Sequence, residues 1–110
     1  MARYSTVDRS LAALADPTRR AIVEMLATRP RRAGEVAAAF PVAHPSISRH
    51  LRILERTRVI TYDRTPEDGR VRIYRLRDEP LQAVDDWLGQ IRGFWQSRLH
   101  DFKRHVEEGP

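Results

Sequence analysis

The sequence predicts a mainly helical α+β domain in which four helices precede a small β-hairpin and one long helix follows it. Apolar residues recur at helical spacing through the first half of the chain, where Pro30 and Pro41 end two of the segments. Two runs of alternating polar and apolar residues flank residues 65–69, whose Asp-Gly pair is typical of hairpin turns. From residue 79 to residue 106 one apolar stripe continues at helical spacing. The predicted order is therefore α-α-α-α-β-β-α.

The first two helices follow from their apolar spacing and from one start signal. A short helix is expected over residues 7–14. Asp16 and Pro17 are typical of a helix start, because Asp accepts hydrogen bonds from the free amides and Pro fits the first turn. This second helix is expected to continue to about Thr28. Its predicted inward side chains are Ile22, Met25 and Leu26.

A helix pair comes next, with helices expected over residues 34–39 and 45–56. Ile47, Leu51 and Leu54 fall at i, i+4 and i+7 and are predicted to pack inward. The other faces carry hydroxyl and guanidinium groups, from Ser46, Ser48, Arg49, Arg52 and Arg56. Such a helix is typical of major-groove recognition, where Arg makes bidentate contacts to guanine. A solvated helix whose arginines only add solubility is the alternative interpretation.

The hairpin directly after this helix pair indicates a β-wing, and thus a winged helix-turn-helix. Its strands are expected over residues 59–64 and 70–76. Arg64, Arg70 and Arg72 would lie where a wing meets the sugar-phosphate backbone or the minor groove. An ordinary hairpin with solvated arginines is the alternative.

The terminal helix presents more apolar surface than one small domain can cover. At 1.5 Å per residue it would be about 40 Å long. An uncovered apolar stripe of this length indicates an interface, and identical chains close it as a two-fold dimer. Gly89 and Gly93 leave open whether the helix is continuous, kinked or split in two. The predicted dimer interface consists of Leu11, Leu14, Val84, Leu88, Ile91, Trp95, Leu99 and Phe102.

These elements predict one domain over residues 1–110, with a DNA-binding part at about 16–77 and dimerisation elements at about 5–15 and 78–107. The absence of cysteine excludes disulfides, thiolate metal sites and a cysteine nucleophile. No segment approaches the roughly 20 apolar residues of a membrane span, and the N-terminus lacks the apolar core of a signal peptide. A cytoplasmic protein without a membrane partner is therefore expected.

Charge is divided unequally along the chain. Residues 1–77 contain sixteen Arg and eight acidic residues, a net charge of +8, whereas residues 78–110 have a net charge of −3. The basic charge coincides with the helix pair and the hairpin, as expected of a phosphate-binding surface. Double-stranded DNA is the predicted partner, together with a second copy of the chain.

Four segments in order carry a family resemblance. They are LADPTRRAIVEML, GEVAAAF, HPSISRHLRILE and GRVRIYRL. With them the chain resembles the ArsR/SmtB family of bacterial winged-helix transcriptional regulators, in the branch that lacks metal-binding cysteines. The resemblance implies a homodimeric, nucleoid-associated repressor that releases DNA when an effector binds, although the sequence identifies no effector.

Two metal sites of that family are missing their ligands here. Arg32 and Gly34 stand where thiol-based sensors have two cysteines. Other members bind zinc with Asp-x-His followed by His-x-x-Glu. His105 and Glu108 match the second half, but Arg92 and Phe94 replace the first half, which leaves too few ligands for tetrahedral zinc. No metal and no cofactor are predicted.

Further departures lie at the two helix starts. Arg32 and Ala43 replace the family's usual Thr or Ser, so both helices are expected to lack a capping bond from a side-chain hydroxyl. Arg32 would instead reach a phosphate. His44 would lie at the DNA surface and make affinity depend on pH, while His50 is expected to have a positional or packing role.

The leading hypothesis is a sequence-specific DNA-binding regulator, a repressor that binds an inverted-repeat operator as a homodimer. The predicted base contacts are His44, Ser46, Ser48 and Arg49, and the predicted phosphate or wing contacts are Arg32, Arg52, Arg56, Arg64, Arg70 and Arg72. A sequence-independent architectural DNA-binding protein and a protein-interaction module using the terminal helix are the alternatives. An enzyme is not predicted, because the chain has no thiol, no glycine-rich phosphate loop and no convergent carboxylate–histidine set.

Overall fold

The computed structural model describes residues 5–109, so the predicted domain limits at residues 1 and 110 lie outside the described part. The elements are α1 (Thr6–Ala13), α2 (Pro17–Thr28), β1 (Arg31–Arg32), α3 (Ala33–Ala38), α4 (His44–Arg56), β2 (Ile60–Arg64), β3 (Arg72–Leu76) and α5 (Asp78–Glu108). The mainly helical winged architecture is as predicted, with helix boundaries within two residues of those expected. A third strand, β1, is an addition that the sequence pattern did not reveal.

The first two helices begin with side-chain caps. The Ser5 hydroxyl accepts a hydrogen bond from the Asp8 amide at 3.1 Å, and the Asp8 carboxylate accepts one from the Ser5 amide at 3.0 Å. Asp16 accepts from the Arg19 amide at 3.0 Å, and Pro17 opens α2 as predicted. These bonds satisfy amides that a helix start leaves without intrahelical partners.

The helix pair starts without caps from Arg32 and Ala43, as their side chains predict. At α3 the Glu35 carboxylate partly compensates by accepting from the Arg32 amide at 3.2 Å. The helix α4 begins at His44, so Pro45 occupies its second position and not the first position expected from sequence. Pro is tolerated there because that amide has no intrahelical acceptor.

The C-terminal end of α4 contains the one non-glycine residue with positive φ in the described part of the chain, Arg58 at 66°. The Val59 amide donates to the Leu54 carbonyl and the Arg58 amide donates to the Glu55 carbonyl, both at 3.0 Å. This paired arrangement is a Schellman motif, in which Gly is the preferred residue at the left-handed position.

Replacing Arg58 with Gly is expected to stabilise the fold by about 1 kcal/mol, because a Cβ is disfavoured in left-handed backbone. Urea denaturation of the two proteins measures the difference. Arg58→Ala is the matched control, since it removes the same charge but keeps the Cβ. If the Gly variant proves no more stable than the Ala variant, the backbone explanation is wrong.

The sheet has three antiparallel strands in the order β1-β3-β2. The strand β1 pairs with β3 through Arg31 opposite Tyr74 and Arg32 opposite Ile73. In this way the sheet connects the start of α3 to the wing. A segment of two residues carries no alternation of its own, and this explains why the sequence predicted only the hairpin of β2 and β3.

The wing turn differs from a two-residue Asp-Gly turn. Thr65 still pairs with Val71, whose carbonyl accepts from the Thr65 amide at 3.0 Å, so residues 66–70 form the loop. The buried Thr65 hydroxyl donates to the Asp68 carbonyl at 2.6 Å and accepts from the Asp68 amide at 3.1 Å. Among the described glycines only Gly109 has positive φ, so the primed turn that Asp-Gly favours is not formed. Arg70 accordingly lies in the loop and not at the start of β3.

The core joins the end of α1 with α2, α3, α4 and the sheet. Its buried residues are Ala13, Ile22, Leu26, Val36, Ile47, Leu51, Leu54, Val59, Ile60 and Tyr74. The three inward residues predicted for α4 are all among them. Met25, predicted to face inward from α2, is half-buried.

The helix α5 is continuous for 31 residues, through both Gly89 and Gly93, or about 46 Å. A split into two shorter helices is therefore wrong. A Cβ added at Gly93 would meet no atom within 4 Å, and one at Gly89 would meet only the Arg92 guanidinium at 4.0 Å. No helix among residues 5–109 is long and apolar enough to cross a membrane.

Candidate nucleic-acid interface

The outer face of α4 is exposed and basic. Ile47 and Leu54 hold the opposite face in the core, with exposed fractions of 1% and 0%. The exposed positions on the outer face are Pro45, Ser48, Arg49, Arg52 and Arg56. Ser46 is half-buried and lies one turn before His50, on the flank of α4 that faces α2. Periodicity thus places Arg49, Arg52 and Arg56 at the centre of this face, and Ser46 and Ser48 on its two edges.

A furrow runs from the start of α4 to the wing. A cavity of about 530 Å³ lies between α3, α4 and β3 and includes His44, Ser48, Arg52 and Arg72 in its lining. An adjoining cavity of about 450 Å³ shares Ala33, Gly34 and Arg72 with the first. It adds Arg32, Glu35, Arg70 and Val71. We call these two cavities together the α3–wing furrow.

The furrow collects six of the ten predicted DNA contacts, which are Arg32, His44, Ser48, Arg52, Arg70 and Arg72. Its lining contains four arginines and one acidic residue, Glu35. An excess of guanidinium groups in a groove is suited to an extended run of phosphates. The other four predicted contacts, Ser46, Arg49, Arg56 and Arg64, do not line it.

The wing arginines differ in how freely they can reach a ligand. The Arg70 side chain is 93% exposed, with its Nε 3.4 Å from an Asp68 carboxylate oxygen. Arg64 donates to the Gly69 carbonyl at 2.6 Å. Arg70 is thus the most available of the three predicted wing contacts.

Arg72 is held more firmly than the other wing arginines. Its guanidinium lies 4.4 Å from the centre of the Tyr62 ring and 4.0 Å from a Glu55 carboxylate oxygen. A hydrogen bond with the Tyr74 side chain raises the pKa of Arg72. That Glu55 oxygen is buried and has no hydrogen bond to a described residue, so Arg72 supplies the charge that balances it. Arg72 therefore supports the fold in addition to lining the furrow.

His50 contacts α2, in keeping with the positional role predicted for it. Its Nδ1 atom lies 3.4 Å from the Arg19 guanidinium and 3.9 Å from the Asp16 carboxylate, and the side chain is 17% exposed. The contact between His50 and Arg19 was not predicted, because the two residues are 31 positions apart in the chain.

Two carboxylates at helix starts have lowered pKa values. The Arg19 amide hydrogen bond lowers the pKa of Asp16 below its ordinary 3.8. A hydrogen bond from Arg29, helped by the Arg32 amide, lowers the pKa of Glu35 below its ordinary 4.5. Both groups therefore favour the folded state when ionised.

Stability is expected to fall as the pH drops below about 4.5, because these carboxylates bind protons more readily in the unfolded chain. Their contribution is fully present above the ordinary pKa values and is lost as the pH falls through the lowered ones. Urea midpoints measured from pH 6 to pH 2.5 test this. Asp16→Asn keeps a good cap without the titration, so its midpoint should fall less. An unchanged acid-side slope in that variant contradicts the assignment to Asp16.

The predicted dimer stripe on α5 is largely uncovered within one chain. Leu88, Trp95, Leu99 and Phe102 are 45%, 60%, 59% and 67% exposed, and Leu11 of α1 is 39% exposed. Leu14, Val84 and Ile91 are half-buried, and α1 packs against α5. Phe94, Trp87 and Val106 widen the exposed apolar surface.

Metal ligands do not converge in the described part of the chain. Residues 5–109 contain no group of three His, Cys, Asp or Glu side chains that could hold a metal ion. Asp101, His105 and Glu108 share a small cavity with the Arg104 guanidinium, whose charge opposes a cation. The residues present therefore do not fit the zinc site of the family's paired terminal helices.

Comparison with known proteins agrees with this geometry. The family model for "Bacterial regulatory protein, arsR family" matches residues 16–62, which run from α2 into β2. A transcriptional regulator of Mycobacterium tuberculosis, Rv2034, is 38% identical over 107 residues, 97% of this chain and 94% of that protein. The chain belongs to the ArsR family. This ArsR-family protein is a DNA-binding transcriptional regulator and not an enzyme.

This ArsR-family protein is also similar to a second regulator in sequence and to a solved structure in fold. The transcriptional repressor SdpR of Bacillus subtilis is 38% identical over 76 residues, 69% of this chain and 81% of that protein. The crystal structure of another ArsR family transcriptional regulator superposes with a TM-score of 0.75 at 35% identity, covering 84% of this chain and 98% of the other. The winged helix-turn-helix fold predicted from sequence is thereby confirmed.

Proposed function

We propose that this ArsR-family regulator is a homodimeric repressor that binds an inverted-repeat operator. The observation that carries the proposal is the outer face of α4, where exposed Ser48, Arg49, Arg52 and Arg56 stand on a helix whose other face is fully buried. A helix fixed in this way presents its polar side chains in one rigid array, as reading of the major groove requires. Relatives named as transcriptional repressors support the direction of regulation.

Within this proposal the residues divide into two groups. Base contacts are assigned to His44, Ser46, Ser48 and Arg49. Phosphate or wing contacts are assigned to Arg32, Arg52, Arg56, Arg64, Arg70 and Arg72. Six of these ten line the α3–wing furrow, and this supports a DNA strand following it from α4 towards the wing.

The dimer is assigned to α1 and α5, and DNA binding to residues 16–77. The apolar side chains left exposed along α5 support this division, because a stripe so large is normally covered. A two-fold dimer would hold two copies of α4 about one DNA turn apart. The nucleoid is the proposed site of action.

Selection of bound duplexes from random DNA tests the proposal, combined with light scattering of the free protein. We expect an enriched inverted repeat with half-site centres about 10 base pairs apart and a molecular mass of two chains. Equal binding of all duplexes at physiological salt would instead indicate an architectural protein. A stable monomer would leave α5 free for a foreign partner and would contradict the homodimer.

A further inference from the structure

Arg19 of α2 links α1 to α4. Its Nε donates to the Ala13 carbonyl at 2.6 Å, and its Nη2 donates to the Ala12 carbonyl at 3.4 Å. Both carbonyls belong to the last turn of α1. Its Nη1 lies 3.4 Å from Nδ1 of His50, in the middle of α4. One guanidinium thus contacts two helices other than its own.

The contact with His50 has a defined direction. A guanidinium offers only donors, so this hydrogen bond requires the neutral tautomer in which Nδ1 of His50 accepts and Nε2 carries the proton. The imidazole is mostly buried, with 17% of the side chain exposed. The Asp16 carboxylate, at 3.9 Å from the same nitrogen, lies on the same side of the ring. The guanidinium and the carboxylate both belong to the start of α2.

This contact bears on how α4 is rotated about its own axis. The buried Ile47, Leu51 and Leu54 hold α4 against the core, but apolar burial is non-directional. Side-chain atoms at the surface of a helix lie about 5–6 Å from its axis, so a rotation of about 20° moves them by about 2 Å. A shift of that size breaks a hydrogen bond to a base edge. His50 directly follows Arg49 in sequence and lies one turn after Ser46, so it is at the level of the proposed base contacts.

We propose that Arg19 is a positioning residue that fixes the rotation of α4 relative to α1, and that it does not itself contact DNA. The inference rests on the proposed function, because α1 is assigned to the dimer and α4 to the operator. Arg19 therefore links the rotation of α4 in each subunit directly to α1, which is part of the proposed dimer interface.

Arg20 provides the matched control. It donates to the Leu14 and Ala15 carbonyls at 2.9 and 3.1 Å, directly after the last residue of α1, and so holds the C-terminal end of that helix to α2. Within residues 5–109, Arg20 makes no hydrogen bond or ion pair with α4. Arg19→Gln and Arg20→Gln each remove one positive charge and one tether to the α1 end, but only the first removes the contact with His50.

The test measures affinity for a selected duplex and for a shuffled duplex of equal composition, at several salt concentrations. For Arg19→Gln we expect about a tenfold loss on the selected duplex, within the range of measured side-chain couplings. On the shuffled duplex we expect less than about a twofold loss, with an unchanged salt slope because no phosphate contact is removed. For Arg20→Gln both affinities should stay near the wild-type values.

Two results would overturn the inference. Equal losses on both duplexes with a salt slope reduced by about one unit would show that Arg19 contacts a phosphate. Similar losses for Arg19→Gln and Arg20→Gln would show that only the α1 tether matters. If the wild-type protein itself prefers no duplex, the proposed function fails and the role of Arg19 in operator binding fails with it.

His50→Leu removes the same contact from the α4 side and leaves the hydrogen bonds from Arg19 to α1 in place. This variant therefore tests the proposal even if Arg19→Gln does not fold. It should reproduce the selective loss, with the dimer intact by light scattering. Combined with Arg19→Gln it should add no further loss, because both changes remove one contact. Wild-type selectivity in His50→Leu, or additive losses in the double variant, would contradict the proposal.

Discussion

Replacing Leu99 with Glu is expected to convert the protein into a monomer and to reduce operator affinity about 100-fold or more. Leu99 is 59% exposed in the C-terminal half of the apolar stripe, between Trp95 and Phe102. In a two-fold dimer each substitution appears twice in one interface, and an unpaired buried carboxylate costs several kcal/mol. A monomer binds one half-site and loses the advantage of a linked second site, which ranges from about 10² to 10⁴.

Ser97→Glu is the control for this variant. Ser97 is exposed on the side of α5 opposite the stripe, so the same charge there should leave the dimer intact. Light scattering gives the mass of each variant, and titration of the selected duplex gives its affinity. A Leu99→Glu protein that stays dimeric, or a monomer with wild-type operator affinity, would contradict the proposed role of α5 in dimerisation and operator binding.

Arg49→Ala and Arg52→Ala are expected to weaken DNA binding in different ways. Arg49 lies at the centre of the exposed face of α4 and outside the furrow, whereas Arg52 lines the furrow together with Arg72. We expect Arg49→Ala to cost about 1–3 kcal/mol on the selected duplex, with little effect on a shuffled one. Arg52→Ala should weaken both duplexes about equally and reduce the salt slope by about one unit.

Each variant serves as the control for the other, because both remove one guanidinium from the same helix face. The measurement is a pair of binding isotherms at several salt concentrations for each protein. Equal losses of affinity on the two duplexes for Arg49→Ala would show that Arg49 contacts a phosphate and not a base. A selective loss for Arg52→Ala, with an unchanged slope, would make it a base contact.

Most elements of the fold were predictable because their signals are local. Asp16 with Pro17 opens α2, and apolar spacing defines α4 and α5. The strand β1 was not predictable, since two residues have no periodicity and their partner in β3 lies about 40 positions away. The position of the wing turn was predicted correctly, but its conformation was not. The Thr65 side chain closes the loop by hydrogen bonds to the backbone of Asp68, and the two-residue Asp-Gly turn does not form.

The sequence proposes the residues of the candidate site, but it does not predict how they are arranged. Helical periodicity correctly placed Ser48, Arg49, Arg52 and Arg56 of α4 at exposed positions, but Ser46, predicted with them, is half-buried against α2. It did not separate Arg72, held against Tyr62 and Glu55, from the open Arg70. Nor did it identify Arg19, whose acceptors lie in two other helices. Such contacts depend on tertiary packing, which a sequence pattern does not encode.

The strand β1 has a consequence for operator preference. It ends at Arg32, directly before α3, and its partners are Tyr74 and Ile73 of the wing. A backbone ladder therefore couples the wing to the helix pair, so that neither can swing without the other. The distance between α4 and the wing should then be fixed within each subunit, so that few base changes are tolerated inside a half-site. Sequence variation among bound operators should be found mainly in the spacer between the two half-sites.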